Sequence, residues 1–227
     1  MHEKAKALHW AGVGHVNISL DTLQPERFEY VTLRHKLEDV LRGIEAAYGA
    51  GFRSVKINTV VMKGFNDDEL LEFVDFAKFF SLNLRFIEYM PFPGNQWSHV
   101  KLMAYREMRE VIESRHRLLP LRREVSLEGP AKEFRVEGSG AVIGFITTLT
   151  EHFCHTCNRL RLTADGKLRN CLFAQGDADL KQLLRSGARR GIIESAIRSA
   201  VIQKWEQRPD MEDLLRTQDR AMVAIGG

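Results

Sequence analysis

The sequence predicts an α/β fold in two parts. Residues 1–91 read as βαβ units of a parallel sheet or a barrel, and a smaller α+β domain spans residues 92–227. Three observations carry this expectation. Alternating strands and amphipathic helices succeed one another up to Pro91, at the spacing of right-handed βαβ units. After Pro91-Phe-Pro-Gly-Asn95 the texture changes to shorter, antiparallel-looking strands. Finally, all three cysteines, Cys154, Cys157 and Cys171, fall in one stretch of the second part.

Bulk properties narrow the class. A chain of 227 residues has ample length to bury a core, and 44% hydrophobic with 28% charged residues is the balance of a soluble globular protein. The net charge of +3 is too small to argue for nucleic acid by itself. No apolar run approaches the roughly 18–20 residues of a membrane span; the best, Ala141 to Leu149, is a strand's length. The N-terminal Met-His-Glu-Lys-Ala-Lys-Ala-Leu has neither the apolar core of a signal peptide nor an Arg/Ser-rich transit composition. With clustered cysteines, this points to the reducing cytoplasm and to thiols used as ligands instead of disulfides.

Taken in order, Lys4 to Ala11 read as a helix, punctuated by Gly12 and Gly14. His15 to Asp21 reads as a strand, with Val16, Ile18 and Leu20 on one face and Asn17, Ser19 and Asp21 on the other. In an α/β barrel such short polar residues near a strand's C-terminal end point into the site; an edge strand with a solvated face is the alternative. Leu37, Val40, Leu41, Ile44, Ala47 and Tyr48 mark a helix stopped by Gly49 and Gly51. Ser54 to Met62 is a second strand. Gly64-Phe-Asn-Asp-Asp68 opens another helix, with Asn66 or Asp67 as its cap and acidic residues at its positive end. Leu84 to Met90 is a third strand. Beyond the loop, a helix from Tyr105 to His116 precedes strands at Lys132 to Val136 and Ala141 to Leu149, turned by Gly138-Ser-Gly140. Helices near Ala178 to Ser186 and Arg190 to Gln207 close the chain, followed by a tail ending in Gly226-Gly227.

The cysteine stretch reads Cys154-His-Thr-Cys157-Asn-Arg159-Leu-Arg161, and Cys171 returns after 13 intervening residues of strand, tight turn (Ala164 to Lys167) and strand. A hairpin of that length carries Cys171 back beside the first pair. Thiolates are soft ligands, suited to Zn²⁺ or an iron–sulfur cluster. A closed zinc site takes four protein ligands, and His152 or His155 could complete one. A [4Fe–4S] cluster held by three leaves one iron free for a small molecule. On the residues alone both readings stay open. Arg159 and Arg161 alternate on one strand face, where guanidinium forks suit phosphate oxygens; solvated strand residues are the plainer reading. Lys56, inside an apolar strand, is costly to bury without a partner, so it is expected to be functional or ion-paired. Arg122-Arg123 and Arg189-Arg190 read as solvated charge.

Val16-Asn-Ile-Ser-Leu-Asp21, Val55-Lys-Ile-Asn58, Gly64-Phe-Asn-Asp67, Arg85-Phe-Ile-Glu-Tyr-Met-Pro91, the Cys-x₂-Cys-Asn-Arg-x-Arg…Cys hairpin and the terminal Gly-Gly occur here in one order and spacing. Together, over nearly the whole chain, they resemble the radical S-adenosylmethionine GTP 3′,8-cyclases of molybdenum cofactor biosynthesis. The resemblance implies a lyase in which a first cluster, on a Cys-x₃-Cys-x₂-Cys loop, reductively cleaves S-adenosylmethionine. The resulting radical abstracts the ribose 3′-hydrogen of GTP, and the sugar carbon attacks C8 of guanine. It implies that Cys154, Cys157 and Cys171 ligate a second [4Fe–4S] cluster whose open iron holds the guanine end of GTP. It further implies that Arg159, Arg161 and Lys56 meet GTP, that Arg85 is a lesser member of the same cavity, and that Ser19 and Met90 touch S-adenosylmethionine. Gly226-Gly227 would be the family's active-site tail.

One departure stands against these matches: no cysteine precedes Cys154. The resemblance then implies a partial (βα) TIM-like barrel half over residues 1–91, followed by a small α+β iron–sulfur cluster domain over residues 92–227. Such a fragment retains the GTP-side cluster half, lacks the radical-generating loop and roughly the first three βα units, and is not expected to generate the radical alone. No residue of it is then assigned a catalytic role, and a partner chain, whether a second copy or a missing barrel half, remains open. No nucleic acid is expected. The alternative is a zinc-stabilised nucleotide- or nucleic-acid-binding module, with Arg159 and Arg161 on phosphates.

Overall fold

The strand and helix periodicities of the first half produce a parallel βα succession in the computed structural model, which describes residues 2–121, 129–174, 178–217 and 220–222. The order is α1 (Ala5–Trp10), β1 (His15–Ser19), α2 (Pro25–Thr32), α3 (Leu37–Gly49), β2 (Ser54–Val61), α4 (Leu70–Phe80) and β3 (Asn83–Glu88). It continues with α5 (Tyr105–Glu113), β4 (Leu118–Pro120), β5 (Lys132–Val136) and β6 (Val142–Ile146). These six strands make one sheet in the order β1-β2-β3-β6-β5-β4. β1, β2, β3 and β6 pair in parallel, and β6, β5 and β4 continue antiparallel. The fold is mixed α/β with a parallel-rich sheet.

The chain falls into two compact units, Met1–Tyr89 with Val100–Glu151, and Met90–His99 with His152–Gly227. This differs from a single cut after residue 91. The reason lies in β6, whose hairpin with β5 was legible but whose other edge pairs with β3, from Asn83↔Val142 to Ile87↔Ile146. That pairing draws residues 100–151 into the first unit. Its core lies on one sheet face, where Ile57, Val61, Leu84, Phe86, Ile143 and Phe145 pack with Phe73, Val74 and Ala77 of α4 and Met108 and Ile112 of α5. Burial of each such side chain contributes about 1.5–3 kcal/mol.

Several element boundaries depart from the sequence reading for local reasons. α2 was not foreseen: Pro25 at its first turn presets the helical φ, and Leu33 ends it in the left-handed region at φ 56°. Neither Asn66 nor Asp67 caps α4. The Asn66 side chain instead accepts from Met62 N–H at 2.7 Å and donates to the carbonyls of Asp21 (2.6 Å) and Val60 (2.8 Å). Glu69, 2% exposed, accepts from the Thr22 hydroxyl, from Leu23 N–H (2.6 Å) and from Arg27 Nη1 (2.7 Å). The Gly64-Phe-Asn-Asp stretch is therefore a bracket that holds the C-terminal ends of β1 and β2.

The second unit contains β7 (Arg161–Leu162), β8 (Lys167–Arg169), β9 (Ala178–Asp179), α6 (Leu180–Arg185), α7 (Arg190–Ile202) and α8 (Met211–Thr217). The three strands form an antiparallel sheet in chain order. Helix α6 begins two residues later than expected because Ala178–Asp179 pairs with β8, and α7 ends at Ile202, short of Gln207. Phe92 stacks on the buried Phe173 ring at 5.8 Å, which ties residues 90–99 to this unit. No described helix is long and apolar enough to cross a membrane. Arg122-Arg123 and Gly226-Gly227 lie outside the described residues.

Candidate functional site

The face of the first sheet opposite its core is polar. Residues paired across strands share a face, and the registers assemble one continuous row: Ser19, Asn58, Arg85, Gly144 and Glu133. The adjacent row runs Asn17, Lys56, Asn83. Of the residues singled out from sequence, Ser19 and Arg85 thus lie in one row and Lys56 in its neighbour. Met90 is the first residue of the second unit, where its carbonyl accepts from Asn95 Nδ2 at 2.7 Å. Among the described residues, nothing donates to the buried side-chain carbonyl oxygens of Asn58 and Asn83, so this face carries acceptors as well as cations.

Arg85 and Glu133 sit two strands apart and meet over Gly144. Nη2 of Arg85 is 3.7 Å from Oε1 of Glu133, with the side chains 13% and 3% exposed. A Cβ on Gly144 would lie 3.2 Å from Arg85 Cγ and 3.3 Å from Ala131 Cβ. The missing side chain is what lets the pair converge. Glu133 was not anticipated; its signal was a single carboxylate on an otherwise unremarkable strand. At the C-terminal end of β1, Asp21 accepts from Val60 N–H at 2.8 Å. Burial pushes its carboxyl up, against that hydrogen bond.

The cysteines occupy the hairpin of the second unit. Cys154–Thr156 forms a single 3₁₀ turn, closed by Cys157 N–H donating to Cys154 O at 3.1 Å. The chain then runs up β7, turns and descends β8 to Cys171. The turn is set by chemistry. Lys167 N–H donates to the Thr163 hydroxyl oxygen at 3.0 Å, and Gly166 has φ 85°. A Cβ on Gly166 would stand 2.3 Å from Lys181 Cβ, so glycine is required twice over. The Thr163 hydroxyl and the Arg220 guanidinium hold the neighbouring Asp165 carboxyl down at about 2.

All three cysteines are half-buried free thiols. Burial raises the Cys171 thiol, Phe173 N–H and the Lys204 charge oppose that, and Cys154 and Cys157 add to it. Burial would also raise Cys157, but Arg159 N–H, the Lys204 charge and the Arg159 side chain together leave it below its ordinary value. Cys154 and Cys157 are thus both within electrostatic reach of Cys171. Among the described residues, no three His, Cys, Asp or Glu side chains are drawn closely enough to hold a metal. In chemistry, though not as a closed cage, the donor set suits a thiolate-ligated centre. His155 is exposed, as a residue inside a Cys-x₂-Cys loop is expected to be.

Cations line this hairpin. Arg159 is exposed, its guanidinium 5.6 Å over the Phe153 ring. Arg161 is half-buried and its pKa is lowered, first by burial and then by the charges of Arg159 and Arg169, with Cys171 and Cys157 opposing. Arg169, directly opposite Arg161 in the ladder, is only 1% exposed. The local sequence, Lys167-Leu-Arg169, carries no signal of that burial. Asn170 beside it donates from Nδ2 to Ala200 O at 3.2 Å, fastening the hairpin to α7.

Comparison with known proteins matches residues 82–211 to the family described as Molybdenum Cofactor Synthesis C, and residues 1–77 to the Radical SAM superfamily. The chain is 43% identical over 219 residues to Molybdenum cofactor biosynthesis protein 1 of Mus musculus, covering 96% of this chain and 34% of the mouse protein. It is 40% identical over 225 residues to the mitochondrial GTP 3′,8-cyclase of Arabidopsis thaliana (99% of this chain, 57% of the relative). With the GTP 3′,8-cyclase of Thermodesulfovibrio yellowstonii the identity is 41% over 224 residues (98% and 68%). The chain therefore spans about a third of the mouse relative and somewhat over half of the plant one.

Proposed function

This chain belongs to the GTP 3′,8-cyclase family of molybdenum cofactor biosynthesis, and from that premise we propose that it supplies the GTP-side cluster half of such a cyclase. The parallel strands would then be part of a (βα) barrel, and the second unit its small cluster domain. Cys154, Cys157 and Cys171 would hold a [4Fe–4S] cluster. Three thiolate ligands would leave such a cluster, when bound, with an open iron for a donor atom of the substrate.

The residues around it bind and orient. Arg159 and Arg161 would take phosphate oxygens or the base edge of GTP, and Arg169 adds fixed positive charge in a dry position where it is screened little. On the family resemblance, Lys56 and Arg85 of the first unit would be further GTP contacts, and Ser19 and Met90 would touch S-adenosylmethionine. Reductive cleavage of S-adenosylmethionine needs a second cluster, and the 227 residues hold only these three cysteines. Its ligands must then come from other residues, in a longer chain or a partner. A cytoplasmic location is part of the proposal; the name of the Arabidopsis relative places that protein in mitochondria.

The observation that carries this reading is that three half-buried thiols share one short hairpin segment with Arg159, Arg161 and Arg169. Titration of the anaerobically reconstituted chain with GTP tests it. Saturable binding that weakens in Arg161→Ala is expected. Binding of RNA or DNA that falls steeply with salt, without affinity for GTP, would replace it with the nucleic-acid module.

A further inference from the structure

We infer that Lys204 is the positioning residue of the three-cysteine site, holding together the two backbone segments that carry the thiols. Lys204 follows α7, 33 residues beyond Cys171 in sequence. Its Nζ donates to the carbonyl oxygen of Arg159 at 2.7 Å and to that of Asn170 at 2.6 Å. Arg159 is the second residue after Cys157, and Asn170 immediately precedes Cys171. A lysine ammonium has three donors and no acceptor, so two converging carbonyls satisfy it well.

The need for such a bridge follows from the hairpin. The β7–β8 ladder consists of Arg161↔Arg169 and Leu162↔Leu168, and it stops at the level of the two arginines. Beyond that point, where both arms run on to their cysteines, Lys204 joins them. Its own position is fixed by α7: Asn170 Nδ2 donates to Ala200 O at 3.2 Å, and Lys204 N–H donates to Val201 O at 3.2 Å. One side chain just past the end of a helix distant in sequence therefore sets the separation of the Cys157 and Cys171 arms. It also places a positive charge beside ligands that are anionic when they bind metal. Outer groups that fix ligand backbones in this way typically change metal affinity by about 10–100-fold when removed.

The test uses the full chain, reconstituted anaerobically with iron and sulfide, in four forms: unmodified, Lys204→Met, Lys204→Arg and Arg198→Met. Arg198 is an exposed cation on α7 and serves as the control. Iron and sulfide per chain, the cluster's electron paramagnetic resonance signature after reduction, and the rate of iron release to a chelator are measured beside far-ultraviolet circular dichroism. Lys204→Met is expected to release iron at least about tenfold faster with a shifted resonance signature and unchanged helix content. Lys204→Arg should restore most of the retention, and Arg198→Met should match the unmodified chain. Full loading with unchanged release in Lys204→Met overturns the inference. Should Lys204→Met not fold, amine acylation read by mass spectrometry on the unmodified chain decides. Lys204 is expected to be protected relative to Lys181, and equal labelling overturns the bridge. The inference rests on the three cysteines being cluster ligands, which Cys171→Ala tests separately. Iron retained in Cys171→Ala defeats the ligand reading; iron lost there with normal behaviour in Lys204→Met defeats only the role of Lys204.

Discussion

Replacing Glu88 by Gln should destabilise the first unit by about 2–4 kcal/mol, although the change is nearly isosteric. Glu88 ends β3, is fully buried, and gathers donors from two other segments. Leu149 N–H (2.7 Å) and Thr150 N–H (3.0 Å) donate to Oε2, while Tyr105 N–H (3.2 Å) and the Thr150 hydroxyl donate to Oε1. A glutamine must put an NH₂ at one of these ends. At the Oε2 end it would strand two backbone N–H groups. At the Oε1 end the Thr150 hydroxyl can rotate and accept, so only Tyr105 N–H loses its carboxylate acceptor, keeping a long contact to the Thr150 hydroxyl oxygen at 3.5 Å, and this orientation wins. That loss, eased by the Thr150 contact, is worth about 1–2 kcal/mol, and weakening the two remaining charge-assisted bonds adds about 0.5–1 kcal/mol each. The Tyr105 N–H also opens α5, so the negative charge removed had been favourably placed at a helix N-terminus. Urea unfolding followed by far-ultraviolet circular dichroism, with native-state hydrogen exchange of the β3 and β6 amides, measures the loss. A difference below about 0.5 kcal/mol, well under the value of one stranded donor, would refute the structural assignment of Glu88.

Three further outcomes follow from the same geometry. Gly144→Ala inserts a methyl 3.2 Å from Arg85 Cγ, and thermal unfolding should show a loss of about 1–3 kcal/mol; a neutral substitution would mean that Arg85 and Glu133 do not converge there. His116, 9% exposed and 3.4 Å from Asp75, has its pKa pushed below 6.5 by burial and by Lys78 and Arg115, with Asp75 opposing. Its neutral form is therefore favoured in the folded state, and its stability contribution, full above about pH 6.5, is lost as pH falls below that value. The His116→Gln variant should show a flatter fall in stability between pH 7 and pH 5, by at most about 1.4 kcal/mol per pH unit; an identical slope would remove His116 from the account. Arg161→Ala should weaken GTP binding about tenfold or more in calorimetry while leaving iron content unchanged, and unaltered affinity would exclude Arg161 from the nucleotide contact.

How far the sequence could be read depended on whether a feature was local. The alternation in His15 to Ser19 and Ser54 to Val61, and the turn at Gly166, are local and were legible. The parallel pairing of β6 with β3 is not, because Gly138-Ser-Gly140 signals only the hairpin with β5 and says nothing of the strand's other edge. The same limit hid Arg169 and Lys204. Arg169 is buried by packing that its own three-residue strand does not encode, and Lys204 reaches Arg159 across 45 residues of sequence. Glu88 and Asn66 show the converse: both lie within family-like motifs, yet their contacts are structural. The pattern of cysteines located the candidate centre, and the backbone around it revealed what holds the cysteines.

The central claim is that Cys154, Cys157 and Cys171 together hold an iron–sulfur cluster. Elemental analysis of iron, acid-labile sulfide and zinc in the anaerobically reconstituted chain, beside Cys171→Ala, tests it most directly. About four irons and four sulfides per chain, a brown protein, and loss of the cluster in Cys171→Ala are expected. A colourless protein with one zinc per chain after the same treatment would contradict it.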